Sequence, residues 1–158
     1  MKKMILCPTA ILLLFASCKD NDCKIKTPKD LKPIDWENYN DVYTVYWNTR
    51  HLCSESISLQ SDTIRVSGWK SWSYDAFNLC DDAKYADRSL GHTAAFPFVN
   101  IKCYLPELKT KLDTSDVTKK CFIKGIIHLN QEMSYPRGDC CFTWGQLEII
   151  NIDDIYFK

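Results

Sequence analysis

Asp62-Thr-Ile-Arg-Val-Ser-Gly-Trp-Lys-Ser-Trp-Ser-Tyr74 opens with Ile64 and Val66 on one side and Arg65 and Ser67 on the other. Alternation with a period of two marks a strand with one buried face. Gly68 falls in the middle, where a missing side chain permits a bend or bulge. A strand bent near its centre is therefore expected over 62–74.

The pattern repeats downstream. Residues 76–80 form a second short strand, because Phe77 and Leu79 alternate with Asn78, and Asp81-Asp82 ends it. Residues 81–95 read as an irregular excursion, and 96–105 as a third strand carrying Phe98, Val99, Ile101 and Cys103. Pro106 then opens a short helix, since proline suits a first helical turn, and Leu105, Leu108 and Leu112 fall on one face. A fourth strand over 120–129 is interrupted by Gly125. Residues 132–141 form a loop with Pro136 and Gly138, and 144–157 a fifth strand that bends near Asp153 and Asp154. Upstream, 41–48 is rich in strand formers but is equally able to open a helix, and 47–59 reads as a short helix or structured loop.

Three strands, a helix and two strands is the order of the OB-fold, which this chain resembles over residues 62–157. The carrying segments are Asp62-Thr-Ile-Arg-Val-Ser-Gly-Trp, Phe77-Asn-Leu-Cys-Asp-Asp, Phe122-Ile-Lys-Gly-Ile-Ile and Leu147-Glu-Ile-Ile-Asn-Ile. The resemblance implies a mainly β chain: a small five-stranded Greek-key barrel with a helix between its third and fourth strands. A lipocalin-like barrel would need more strands. An immunoglobulin-like sandwich would leave the mid-chain helix unexplained.

The start of the chain carries a different signal. Met1, Lys2 and Lys3 are followed by an apolar run to Phe15, too short for a bilayer that needs roughly 20 residues. Ala16-Ser17-Cys18 resembles the lipobox of bacterial lipoproteins, which implies a signal peptide over 1–17 and a lipid on Cys18. Lys19-Asp20-Asn21-Asp22 is similar to the export tag of Bacteroides-type lipoproteins. That resemblance implies an anchor in the outer membrane, facing the periplasm or the outside. Residues 18–40, with Pro28 and Pro33 among Lys and Asp, are then a flexible tether, and 41–158 a single domain.

Without residues 1–17 the chain keeps 18 basic against 20 acidic groups, a formal charge near −2. A nucleic-acid partner calls for a basic surplus, which is missing. Beyond residue 18 there are seven cysteines: Cys23, Cys53, Cys80, Cys103, Cys121, Cys140 and Cys141. An oxidising compartment permits disulfides, and a bridge from Cys140 or Cys141 to Cys80 or Cys53 would staple the last loop to the domain. Cys103 and Cys121 lie in apolar runs and read as small buried hydrophobes.

Candidate ligand-binding residues are Trp69, Trp72 and Tyr74 near the first turn, and Tyr135, Arg137 and Trp144 near the last. Loops at these places flank the binding face of OB-folds, and aromatic rings there can stack on sugars or bases. The competing reading is that the tryptophans plug the ends of the barrel. Arg65 is a second candidate for an anion. His51, Cys53 and Glu55 superficially suggest a metal site or nucleophile, but closeness in sequence is not contact, and no catalytic residue or cofactor is expected. The expected function is a non-enzymatic module binding a glycan, peptide or protein, with an accessory lipoprotein docked on another envelope protein as the alternative and an enzyme ranked last.

Overall fold

The computed structural model describes residues 25–53, 63–73, 76–86, 97–133 and 141–158. Among them are β1 (Tyr39–Asp41), α1 (Val42–Thr49), β2 (Thr63–Ser73), β3 (Ala76–Cys80), β4 (Phe98–Cys103), α2 (Pro106–Thr114), β5 (Lys120–Met133), β6 (Cys141–Ile149) and β7 (Ile155–Phe157). The chain is mainly β. Its strands form one sheet in the order β1-β2-β3-β4-β6-β5-β7, and a further β2–β5 pairing curls that sheet into a ring.

Only the β4–β6 contact of the ring is parallel, and it spans four residue pairs where β5–β6 spans eight. The ring is therefore unevenly closed. Its register is staggered: Trp69 faces Cys80, Cys80 faces Phe98, and Trp144 faces Asn130. The Asn100–Gln146 pairing, continued two residues back, sets Phe98 beside Trp144. This path ends on Asn130, ten residues along β5 from Lys120, which Trp69 faces directly on the other side. Such a displacement tilts and coils the strands.

The five expected strands and the helix after the third are present, with shifted ends. β5 continues to Met133, four residues beyond the expected end. The last strand is split: β6 stops at Ile149, Asn151 caps a 3-10 turn over Ile152–Asp154, and β7 resumes beside β5. The bend expected near Asp153 and Asp154 is that turn.

Over 41–59 the helical alternative holds. The helix covers Val42–Thr49, where strand formers dominate, and ends three residues into the stretch that begins at Trp47; residues 54–59 lie outside the described part. Asp41 starts it, its Oδ1 accepting from the Thr44 amide at 2.6 Å. Val42, Val45 and Thr49 share a helical face and are fully buried, so tertiary packing overrides local β preference.

Val42 and Val45 of α1 join Leu108 and Leu112 of α2 in one core with Ile64, Val66, Leu79, Val99, Ile123 and Leu147. Close approach explains two glycines. A Cβ on Gly68 would lie 2.6 Å from Val42 Cγ2 and 2.7 Å from the Cys80 carbonyl, and one on Gly125 would overlap the Glu148 carbonyl. The glycine in β2 thus makes room for α1.

Lys70 is 1% exposed, yet its ammonium is well used. It donates to the carbonyl of Leu112, to the carbonyl of Ser115 at 2.9 Å and to Ser115 Oγ at 2.8 Å. These acceptors end α2, where the helix dipole also favours a cation. After α1 the chain runs antiparallel to the start of β6: the Cys53 amide donates to the Cys141 carbonyl, and the Thr143 amide to the His51 carbonyl. A Cys53–Cys141 disulfide locks this contact, with Cα atoms 5.3 Å apart across 88 residues of sequence. One of the envisaged bridges is therefore formed, and Cys80 is not part of it: Cys80 and Cys121 are buried free thiols. Cys23 and Cys140 lie outside the described residues.

The end of the stretch read as tether lies against the domain. Ile34 packs on the core, and Asn48 Nδ2 donates to the Lys32 carbonyl at 2.8 Å. Asn40 Nδ2 donates to the Asp35 carbonyl at 2.7 Å, just before β1 pairs with β2. No helix among the described residues is long and apolar enough to cross a membrane.

Candidate functional site

The alternation that buries Val99, Ile101, Leu147 and Ile127 turns Asn100, Gln146 and His128 to the opposite face of β4, β6 and β5. Ring register lines these up with residues from β3 and β2. Ser71 faces Asn78, Asn78 faces Asn100, Asn100 faces Gln146 and Gln146 faces His128. The result is a polar row across five strands.

The amides in this row are bonded head to tail. Gln146 Nε2 donates to Asn100 Oδ1 at 2.8 Å, and Asn100 Nδ2 donates to Asn78 Oδ1 at 3.1 Å. His128 Nε2 lies 2.6 Å from Glu148 Oε2 one row further on. Ser71 and Asn78 are fully buried, whereas Asn100, Gln146, His128 and Glu148 are half-buried. The reachable part of the row is on β4, β6 and β5. There it borders a cavity of about 310 Å³ lined by Asn100, Gln146, Lys102, Lys109, Phe77 and Cys103.

The neighbouring row is Trp69, Cys80, Phe98, Trp144 and Asn130. Trp69 and Trp144, both half-buried, are thus on one row but three strands apart, about 14 Å at ordinary strand spacing. Trp144 is two residues from Gln146 on the same face, which places an aromatic ring beside the amides. Asn130, opposite Trp144, has a buried Nδ2 without a hydrogen-bond partner among the described residues. Trp69 instead belongs with β5, its ring 5.1 Å from the Lys120 ammonium. Trp72 lies in β2 but its side chain is outside the described residues, as are Tyr74, Tyr135, Arg137 and Cys18.

Two other sequence candidates have structural employment. Arg65 Nη1 donates to the Glu37 carbonyl at 2.8 Å and the Trp36 carbonyl at 3.3 Å, fastening the segment before β1. Cys53 is in a disulfide, and His51 Nε2 lies 2.8 Å from the Asn48 carbonyl. No group of three His, Cys, Asp or Glu side chains among the described residues is arranged to hold a metal. Asp82 caps a 3-10 turn and pairs with Lys84 at 2.8 Å, which lowers its pKa, and Asp154 pairs with Lys124 at 3.7 Å. Burial pushes the Cys80 and Cys121 thiols up to about 12, so neither is a ready nucleophile.

The polar row was missed by sequence reasoning. Its only local trace is one polar residue between apolar ones in each strand: Asn78, Asn100, His128 and Gln146. No protein-family model, curated protein or solved structure matches the chain.

Proposed function

We propose that this chain is a lipid-anchored, non-enzymatic binding module whose face on β4, β6 and β5 takes a neutral glycan. The observation that carries this reading is the amide row bordering a cavity beside Trp144. Sugars present hydroxyls that both donate and accept, and amides match them in both senses. An apolar ring at the rim suits the C–H face of a pyranose. Asn130, next to Trp144, adds a further amide whose Nδ2 has no hydrogen-bond partner among the described residues. The ring order β2-β3-β4-β6-β5 and its ten-residue stagger support an OB-like barrel as the scaffold. The lipobox-like Ala16-Ser17-Cys18 supports a lipid on Cys18, and Lys19-Asp20-Asn21-Asp22 supports an outer-membrane location.

The test is intrinsic tryptophan fluorescence titrated with neutral oligosaccharides from a polysaccharide panel. A saturable shift, weakened about tenfold in Gln146→Ala and Trp144→Phe variants that stay folded, is the expected result. A panel without any shift rejects the glycan.

A second reading, docking on another envelope protein, is favoured by a different patch. Tyr104 (63% exposed), Leu105, Ile150 (58% exposed) and Ile152 lie at the ends of β4 and β6. They adjoin a groove of about 550 Å³ between Glu107, Thr110, Lys111 and Ile152. Exposed aliphatic groups in one place fit a protein surface better than a sugar. Pull-down of one envelope protein, abolished by Ile150→Glu while sugar binding persists, would establish it.

A further inference from the structure

A second aromatic cluster lies on the part of the sheet formed by β1, β2, β5 and β7, away from the amide row. Phe122 and Tyr156 face each other in register and stack at 4.8 Å with ring planes 2° apart. Tyr39 meets both edge-on, at 5.2 and 6.0 Å. The three rings brace one another, and Tyr39 and Tyr156 each remain 37% exposed.

Two lysines are set into this cluster. The Lys120 ammonium lies 5.1 Å from the Trp69 ring and 5.9 Å from Phe122; that of Lys158 lies 5.9 Å from Phe122 and 5.6 Å from Tyr156. Both are within cation–π range of two rings. Their backbones are joined by reciprocal hydrogen bonds, Lys120 amide to Lys158 carbonyl at 2.8 Å and the reverse at 3.0 Å. Neither ammonium has a carboxylate partner among the described residues, whereas the neighbouring Lys124 is paired with Asp154.

We propose that this face is a ligand site for an acidic sugar, with Lys120 and Lys158 holding its carboxylate or sulfate and Tyr39 and Tyr156 contacting the ring beside it. The site is distinct from the amide face and does not rest on that reading. Rings fix the two ammoniums without neutralising them, so an incoming anion meets preplaced positive charge. Among the described residues, the large exposed hydrophobic side chains of this cluster are aromatic: Tyr39 and Tyr156. The exposed aliphatic ones, Leu105, Ile150 and Ile152, lie elsewhere. Aromatic surface with hydroxyls and cations fits a charged saccharide better than a lipid tail or an apolar protein surface. Tyr39 retains its proton, its pKa pushed up to about 12 by burial and by its hydrogen bond with Tyr156, so the phenol beside the ammoniums adds no negative charge.

The experiment is calorimetric titration of the full chain with oligogalacturonate, chondroitin sulfate, a neutral glucan oligomer and vesicles containing phosphatidylglycerol. The proposal requires binding to at least one of the two acidic glycans. That binding should fall about tenfold in the Lys120→Gln/Lys158→Gln double variant at unchanged melting temperature, and weaken as salt is raised from about 50 to 300 mM. Oligogalacturonate alone would assign a carboxylate, and chondroitin sulfate alone a sulfate. Should the double variant fold poorly, Lys158→Gln alone, at the edge strand, must show a loss of at least about threefold. Absence of acidic-glycan binding overturns the assignment, as does binding that the lysine variants leave intact. Vesicle binding lost in the double variant without glycan binding moves the site to an anionic lipid surface, which also overturns it.

Discussion

The two helices reach the same core and are fastened by opposite means. α2 ends on the buried ammonium of Lys70, which serves two carbonyls and a hydroxyl. The segment after α1 is held by a covalent bond between Cys53 and Cys141. The first fastening is indifferent to redox state; the second exists only where thiols are oxidised. The N-terminal flank is thus the conditional part of the domain, and the α2 flank the permanent part.

The difference is most sharply broken at the disulfide. Replacing Cys53 and Cys141 by serine is expected to lower unfolding free energy by about 4 kcal/mol, since the bridge closes a loop spanning 88 residues. Chemical denaturation with and without reductant measures it. Hydrogen exchange should show amides of 42–53 opening before those of α2, and equal opening of both would end the comparison. Lys70→Met should cost about 3 kcal/mol, with or without reductant, because the Leu112 and Ser115 acceptors lose a charged donor in a dry site. A reductant-dependent loss would mean the two flanks are coupled.

Asn100→Ala probes the strand between them and should cost about 1 kcal/mol, as Asn78 and Gln146 each lose a partner. The smallest effect sets Lys70 against a poorly served charge. Asp81 has a buried Oδ1 without a hydrogen-bond partner among the described residues, and burial, ahead of its acidic neighbours, pushes its carboxyl up. An acid with a raised folded pKa favours the native state below the unfolded carboxylate range and loses that contribution as pH rises through the raised value. Asp81→Asn is therefore expected to raise the melting temperature at pH 7 by roughly 1 °C, with the gain fading in acid. A gain that persists at pH 3 would exclude the carboxylate as its source. The free thiols give a final check: Cys80 and Cys121 should resist iodoacetamide at pH 8 until the protein is unfolded, given pKa values near 12.

Local chemistry made much of the fold legible. Ile64 and Val66 against Arg65 and Ser67 declare a half-buried strand, and Pro106 with Leu108 and Leu112 declares a short helix. α1 was harder, because Val, Tyr, Thr and Trp favour strands, and what decides is the Asp41 cap plus a buried stripe visible only once packed. The amide row was illegible for a different reason. Asn78, Asn100, Gln146 and His128 are far apart in sequence, and only the strand order with its parallel β4–β6 step sets them side by side. The aromatic residues near the turns were readable as candidates, yet sequence could not separate Trp69, which joins Lys120, from Trp144, which joins the amides.

The ten-residue stagger makes the ring behave as a screw thread. Side chains alternate every residue, so a one-residue shift of pairing register between Lys120 and Asn130 would swap the inside and outside of everything beyond it. A shift of two would keep the faces but coarsen the pitch and widen the bore. The polar row can therefore be re-spaced only in steps of two residues, each of which changes the girth of the whole ring.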